Sequence, residues 1–329
     1  MKVVVTGGAG FLGQRLIRAL CERGRLTDAA GRERAIEQIV AVDQSQPPNL
    51  VIDERVGYVL GDIGQPSFIG HVLAADTDSV FHLAAVVSGA AERDFDLGMR
   101  VNFDGTRLLL EACRRQKQVP KLVFASSVAV FGQPLPEVLT DATTPTPQTS
   151  YGTQKLASEL LVHDCSRKGF IDGRSVRLPT IVVRPGKPNA AASSFASGII
   201  REPLAGQPAQ CPVPTSTGVW LSSPGTAVAA FVHAHELPAP AWGAVRSLNL
   251  PGVAATVEEM IAALRAAAGD EVADRVQVQI DEPIAAIVRS WPARFETPRA
   301  LSMGFPQDAD FGSILREYIA RYAPGALRR

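Results

Sequence analysis

Apolar residues in the first half of the chain come in short unbroken runs separated by stretches of helical spacing. The runs are KVVVT (2–6), QIVAV (38–42), GYVLG (57–61), SVFHLA (79–84) and KLVFAS (121–126). Runs this short and this uniformly apolar suit strands buried on both faces, and their alternation with helices predicts a parallel sheet covered on both sides, an α/β class of fold. After the first run, Phe11, Leu12, Leu16 and Leu20 mark an amphipathic helix, and Gly7, Gly10 and Gly13 lie at its start. Strand, glycine turn and helix in that order let a pyrophosphate approach the backbone and meet the amides of the helix N-terminus. The charged piece GRLTDAAGRERAIEQ (24–38) predicts a helix extension or an exposed loop.

Later segments predict further elements. GVWLSS (218–223) and AVRSLNL (244–250) suit short strands, and DFGSILREYIARYA (310–323) suits a closing amphipathic helix. TVEEMIAALRAAAG (256–269) predicts a helix with Thr256 at its N-cap and Glu259 completing a capping box. The proline-rich piece 132–150 predicts an ordered loop over a site, able to act as a lid.

Composition narrows the function classes. The 329 residues, 46% hydrophobic, suffice for one large core and a smaller unit, and 33 basic against 33 acidic residues give no electrostatic call for nucleic acid. The longest apolar runs, such as VFHLAAVV (80–87), fall far short of the roughly 20 residues a membrane span needs, and the opening run breaks at Thr6 and Gly7. We expect no membrane anchor, no signal peptide and a cytoplasmic protein. Cys21, Cys113, Cys165 and Cys211 lack CxxC spacing, which predicts reduced thiols with neither disulfide nor structural zinc. His233 and His235 lack an accompanying ligand pattern, so they are expected to pack or cap a helix and no metal is expected.

Candidate chemistry centres on Tyr151 and Lys155, four residues apart and therefore on one helical face. A nearby ammonium favours phenolate and lowers a tyrosine pKa from its usual value of about 10, so the pair predicts a general base. Asp43 ends the second strand, where a carboxylate accepts hydrogen bonds from adenosine ribose hydroxyls and repels a 2′-phosphate, favouring NAD over NADP. Asp62, after Gly61, suits either a cofactor contact or a helix N-cap beside Ser67. Ala84 and Ala85 let backbone approach a flat cofactor, or simply pack well.

The strings TGGAGFLG, GDI, HLAA, RVNFDGT, FASSVAVFG and YGTQK, in this order across roughly the first 185 residues, resemble the extended short-chain dehydrogenase/reductase superfamily of epimerases, dehydratases and hydroxy-acid dehydrogenases. The resemblance implies a Rossmann-type doubly wound sheet over 1–183, binding NAD and carrying catalytic Ser127, Tyr151 and Lys155. It also implies a smaller α/β substrate-binding part over 184–329, some of whose segments return to the first. In that reading Lys155 lowers the Tyr151 pKa and holds the nicotinamide ribose, while Ser127 hydrogen-bonds the reacting oxygen. Ser126 takes the neighbouring cofactor-side position and Asn102 braces the active-site helix. Cofactor contacts are implied at Gly7, Gly10, Phe11, Leu12, Gly13, Asp43, Asp62, Ile63, Leu83, Ala84, Ala85, Asn102, Ser126, Tyr151, Lys155 and Pro179. Substrate contacts are implied at Ser88, Ser127, Tyr151, Thr180, Arg184, Lys187 and Asn189.

Val128 and Ala129 follow Ser127 where sugar dehydratases carry an Asp-Glu pair, which removes the acid and base of elimination. The turn presenting Arg184, Lys187 and Asn189, followed by a helix start at Ser193, Ser194 and Phe195, reads as a small-anion pocket. This segment looks like the branch of D-erythronate dehydrogenases, which implies NAD-dependent oxidation of a short sugar acid at the hydroxyl beside its carboxylate. A nucleotide-sugar 4-epimerase and an idle NAD-binding regulator are the alternatives. Trp220, Ser222 and Ser223 suit either the substrate cleft or the core. The resemblance further implies a homodimer paired through FDGTRLLLEACRRQ and the Tyr151 helix.

Overall fold

The computed structural model describes residues 1–47, 49–73, 76–186 and 191–324. Its centre is a sheet of seven parallel strands: β1 (Lys2–Thr6), β2 (Gln38–Asp43), β3 (Val56–Leu60), β4 (Ser79–His82), β5 (Lys121–Ser127), β6 (Asp172–Leu178) and β7 (Ser247–Asn249). Their spatial order is β7-β6-β5-β4-β1-β2-β3, so the winding direction reverses between β1 and β4. At such a reversal the connections leave in opposite directions and open a crevice beyond the strands' carboxyl ends. Val4 of β1 lies opposite both Val40 and Val80, and Thr6 opposite Val42 and His82.

The pleat sends successive residues to opposite faces. Val3 and Val5 join Leu16, Ile17 and Leu20 of helix α1 (Phe11–Arg23) on one side, while Val4, Val40 and Val42 join Leu109 and Leu110 of α2 (Gly105–Arg114) and Val162 of α3 (Ser150–Arg167) on the other. A third apolar cluster is built from residues between Val182 and Ile319, including helix α4 (Ser194–Leu204). Helix α5 (Pro224–Glu236) returns to the first side of the sheet, where Val228 and Phe231 pack in the same cluster as Leu16. The run GVWLSS forms a strand, Gly218–Ser222, parallel to Thr180–Ile181 and antiparallel to Val253–Thr256, and AVRSLNL supplies β7.

Two expectations need correction. The charged piece after α1 is neither a helix extension nor a loop but a small antiparallel hairpin, Arg25–Thr27 with Glu33–Ala35. Gly24, at φ 69°, ends the helix in the left-handed region, the Asp28 carboxylate organises the turn by accepting from the Ala30 and Arg32 amides, and Leu26 is buried in the core. The loop 132–150 is ordered, but none of it lines the active cavity described below. Buried Leu139 ties it to the C-terminal part by exchanging backbone bonds with Arg294 (2.9 Å) and Glu296 (2.8 Å).

Other expectations hold. Thr256 and Glu259 form the reciprocal capping box, at 3.1 and 2.7 Å. His233 packs edge-on to Phe305 and bonds the Met303 carbonyl, and His235 bonds Ser79 Oγ at 2.8 Å. Among the described residues no helix is long and apolar enough to cross a membrane.

Candidate active site

Two cavities, of 340 and 300 Å³, lie over the carboxyl ends of the strands and share Gly7, Gly10, Leu83 and Ala85 in their walls. Together they form a cleft running across the point where the sheet reverses. At its floor the glycine turn is sterically obligatory. Gly7 has φ +71°, and a Cβ on Gly13 would lie 2.1 Å from the Gly7 carbonyl oxygen. Gly10 caps α1 without a side-chain bond, which leaves the first-turn amides facing the cleft for an anion. The site therefore fits a dinucleotide.

At one end, Asp43 lines the cleft with Ile63 and Ala84, and its carboxylate accepts from the amides of Ala9 (2.9 Å) and Gln44 (2.8 Å). At the other end, Phe11, Leu12, Gly13, Ser88, Ser126, Ser127, Tyr151, Lys155, Pro179, Thr180 and Arg184 line the wall. Asp62 and Asn102 are not in the lining of either cavity. Asp62 accepts from the Gly64 amide and pairs with Arg100, and the following helix Pro66–Val72 is capped from Gln65, so the N-cap alternative does not apply. Asn102 sits buried in a π-helical turn, Met99–Asp104, the type of irregularity that favours functional sites. It exchanges two bonds with the Val86 backbone and donates to Gln154 Oε1 at 2.7 Å, so it braces the Tyr151 helix from behind the cleft. Lys187 and Asn189 lie outside the described residues.

Thr149 caps α3 by accepting from the Gly152 amide, which starts the helix immediately before Tyr151. Ser127 ends β5 and accepts from the Ala129 amide. Lys155, 2% exposed, donates to the Ala125 carbonyl at 2.9 Å and lies over the Phe124 ring at 4.7 Å. Its ammonium is 5.7 Å from the Tyr151 ring centroid.

The electrostatics correct the expected division of labour. Burial pushes the Tyr151 phenol up to about 12, opposed by the hydrogen bond from Ser127 and the positive charge of Arg184. Burial pushes Lys155 down to about 7, opposed by Glu159. Arg184 is thus a second cation beside the phenol in the free protein, while the Lys155 ammonium donates to a backbone carbonyl. Arg184 is half-buried, and desolvation followed by the charge of Arg201 holds its pKa below the usual arginine value. Its backbone is pinned by Ser197 Oγ (3.0 Å) and by Arg201, which donates to its carbonyl (2.7 Å). Among the described residues its guanidinium makes a long bond to Ser193 Oγ, at 3.4 Å, and has no carboxylate partner. Ser193 is the N-cap of α4, as expected.

Sequence reasoning missed four contributors. Trp291, from the C-terminal part, lines the Tyr151 end of the cleft, and nothing local in its sequence marks it. Glu159 and Arg177 form a buried pair behind the cleft, with the Ser126 hydroxyl donating to Glu159. The signal for Glu159 was its spacing, one turn beyond Lys155. His82, in HLAA, links Thr6 to Thr106 at 2.6 and 2.9 Å, and burial holds it near 3 and therefore neutral. Thr106 donates to the Asn102 carbonyl, so this chain of bonds joins β1 to the brace of the Tyr151 helix. Trp220 is core: it is buried against Phe295 and donates to the Leu250 carbonyl. Ser222 and Ser223 are likewise buried, held by Asp308 at the start of α5.

Residues 3–247 match the model of the NAD dependent epimerase/dehydratase family. Two proteins named D-erythronate dehydrogenase resemble the chain over nearly its whole length. The one from Cupriavidus necator is 53% identical, covering 97% of this chain and 98% of that protein. The one from Haemophilus influenzae is 44% identical, covering 97% and 99%. A solved structure described as a nucleoside-diphosphate-sugar epimerase from Agrobacterium tumefaciens superposes with a TM-score of 0.91 at 41% identity, covering all of this chain and 96% of the other. The chain belongs to the NAD dependent epimerase/dehydratase family and is an NAD-dependent oxidoreductase.

Proposed function

We propose that this member of the family oxidises D-erythronate at the hydroxyl beside its carboxylate, giving 2-dehydro-D-erythronate. The observation that carries this reading is the half-buried Arg184 guanidinium, unpaired with any carboxylate among the described residues, in the same cavity wall as Ser127 and Tyr151. A cation in the cavity wall beside a hydroxyl-activating pair suits a substrate whose carboxylate and reacting carbon are adjacent. The names of the two long relatives support the same substrate.

NAD, when bound, would supply the hydride acceptor for the carbinol carbon. The glycine turn and the first amides of α1 would hold its pyrophosphate, Asp43 its adenosine ribose and Lys155 its nicotinamide ribose. Tyr151, ionised, takes the hydroxyl proton as the carbonyl forms. Ser127 donates to the reacting oxygen, and Arg184, with Ser88 and Thr180 nearby, orients the carboxylate. Residues 1–183 would then serve the cofactor and the chemistry, and 184–329 the substrate. An apolar surface, with Leu160 of α3 64% exposed and Phe95 on the neighbouring short helix 58% exposed, supports pairing of two copies along this helix. Four free cysteines and the use of NAD suit the cytoplasm.

The test is NADH formation, followed by absorbance, with NAD and a panel of D-erythronate, L-threonate and UDP-glucose. The expected result is a rate with D-erythronate and little with NADP. Silence across the acids, with conversion of the UDP-sugar and no net redox, would move the chain to the epimerases that the Agrobacterium structure's description suggests.

A further inference from the structure

Two turns of α3 carry three ionisable residues at four-residue intervals: Tyr151, Lys155 and Glu159. That spacing puts them on one face of the helix. Tyr151 and Lys155 line the cleft, while Glu159, 2% exposed, lies just behind it. The helix is joined to β5 at two adjacent strand residues. Lys155 donates to the Ala125 carbonyl, and the Ser126 hydroxyl donates to Glu159. The ammonium and the carboxylate are thus anchored to neighbouring residues of the strand that ends in Ser127.

A buried carboxylate needs a counter-charge and hydrogen bonds to replace its lost hydration. Arg177 of β6 supplies both with a forked contact, Nη2 to Oε2 at 2.8 Å and Nε to Oε1 at 3.0 Å. The fork is held in turn by Asn249 of β7, at 3.2 Å, and by the Phe131 ring, whose centroid is 5.1 Å from the guanidinium.

We propose that Glu159 and Arg177 are positioning residues of the active site: Glu159 supplies the counter-charge of Lys155 and fixes Ser126 beside Ser127, and Arg177 pairs with that carboxylate and holds it in place. The ionisable groups facing Lys155 are Tyr151 and Glu159 from its own helix and His82 from β4, with Arg177 on β6 behind Glu159. Tyr151 and His82 are both neutral in the free protein, which leaves Glu159 as the carboxylate acting on the ammonium. Burial pulls Lys155 down and Glu159 holds it up, so removing the carboxylate should discharge the lysine at a lower pH.

The inference rests on the role of Lys155 in holding NAD, and two measurements separate its failure from failure of that role. In protein with isotope-labelled lysine and no cofactor, the NMR titration of Lys155, assigned with Lys155→Met, should move down by about one pH unit in Glu159→Gln and return in Glu159→Asp. NAD binding, followed by quenching of tryptophan fluorescence across the same pH range, should weaken about fivefold in Glu159→Gln near the wild-type midpoint and much less two units below it. An unmoved NMR midpoint would overturn the proposal, as would an affinity loss equal at every pH, the mark of a mere staple. A shifted NMR midpoint with pH-independent NAD binding would uphold the pair and remove Lys155 from the ribose. If Glu159→Gln does not fold, Glu159→Gln with Arg177→Met removes both charges. A smaller downward shift supports the proposal, and a wild-type titration refutes it.

Discussion

At the scale of single residues, the site separates proton chemistry from substrate capture. Tyr151 is the acceptor of the hydroxyl proton, so Tyr151→Phe should lower kcat by about 10²–10⁴ while leaving the dissociation constant for NAD unchanged. Retained turnover would remove it from that role. Arg184 acts on the acid. Arg184→Ala should raise the KM for D-erythronate roughly 10- to 100-fold, the worth of one charge-assisted contact, and an effect confined to NAD affinity would contradict the assignment. Because the phenol sits near 12 in the free protein, oxidation should quicken from pH 7 to 10 as more of it ionises, and a flat profile would point to another base.

At the scale of elements, the catalytic geometry depends on how closely α3 approaches the end of β5. Gly152 makes that approach possible, since a Cβ there would lie 2.0 Å from the Ala129 carbonyl oxygen and 3.0 Å from Pro147. Gly152→Ala must push the helix start away from Ser127. It should cost about 1–3 kcal/mol in urea unfolding and lower kcat more than it raises KM. Normal stability and rates would mean that the helix start yields freely. The strand–turn–helix at the N-terminus was legible because glycine spacing and apolar periodicity are local signals. The hairpin at Arg25–Ala35 was not, because its short charged strands carry no period and its register is set by buried Leu26 and the Asp28 turn.

At the scale of the whole molecule, two histidines are buried neutral within the sheet's contacts. His82 is held near 3 and His235 near 4, both chiefly by burial. In the unfolded chain each would bind a proton below about 6.5. Between 6.5 and those folded values the unfolded state binds more protons, so stability rises with pH and is lost as pH falls. The expected loss is about 1.4 kcal/mol per pH unit for each histidine below 6, readable from urea midpoints at pH 7.5, 6 and 5. His235→Gln should shallow that slope, and an unchanged slope would show that His235 charges freely in the fold.

The sequence by itself determined the strand succession of the first half, the glycine turn, Asp43 at the end of its strand, and Tyr151 with Lys155 on one helical face. All of these follow from spacing over a few residues, which backbone geometry converts directly into position. Only the tertiary structure decided that Arg184 is a second cation beside the phenol, that Asn102 braces instead of lining the cleft, that Glu159 meets Ser126 and Arg177, and that Trp291 closes one wall. Those outcomes depend on desolvation and on contacts between residues far apart in the chain. Neither is expressed in local composition, and both arise only when the helices close over the sheet.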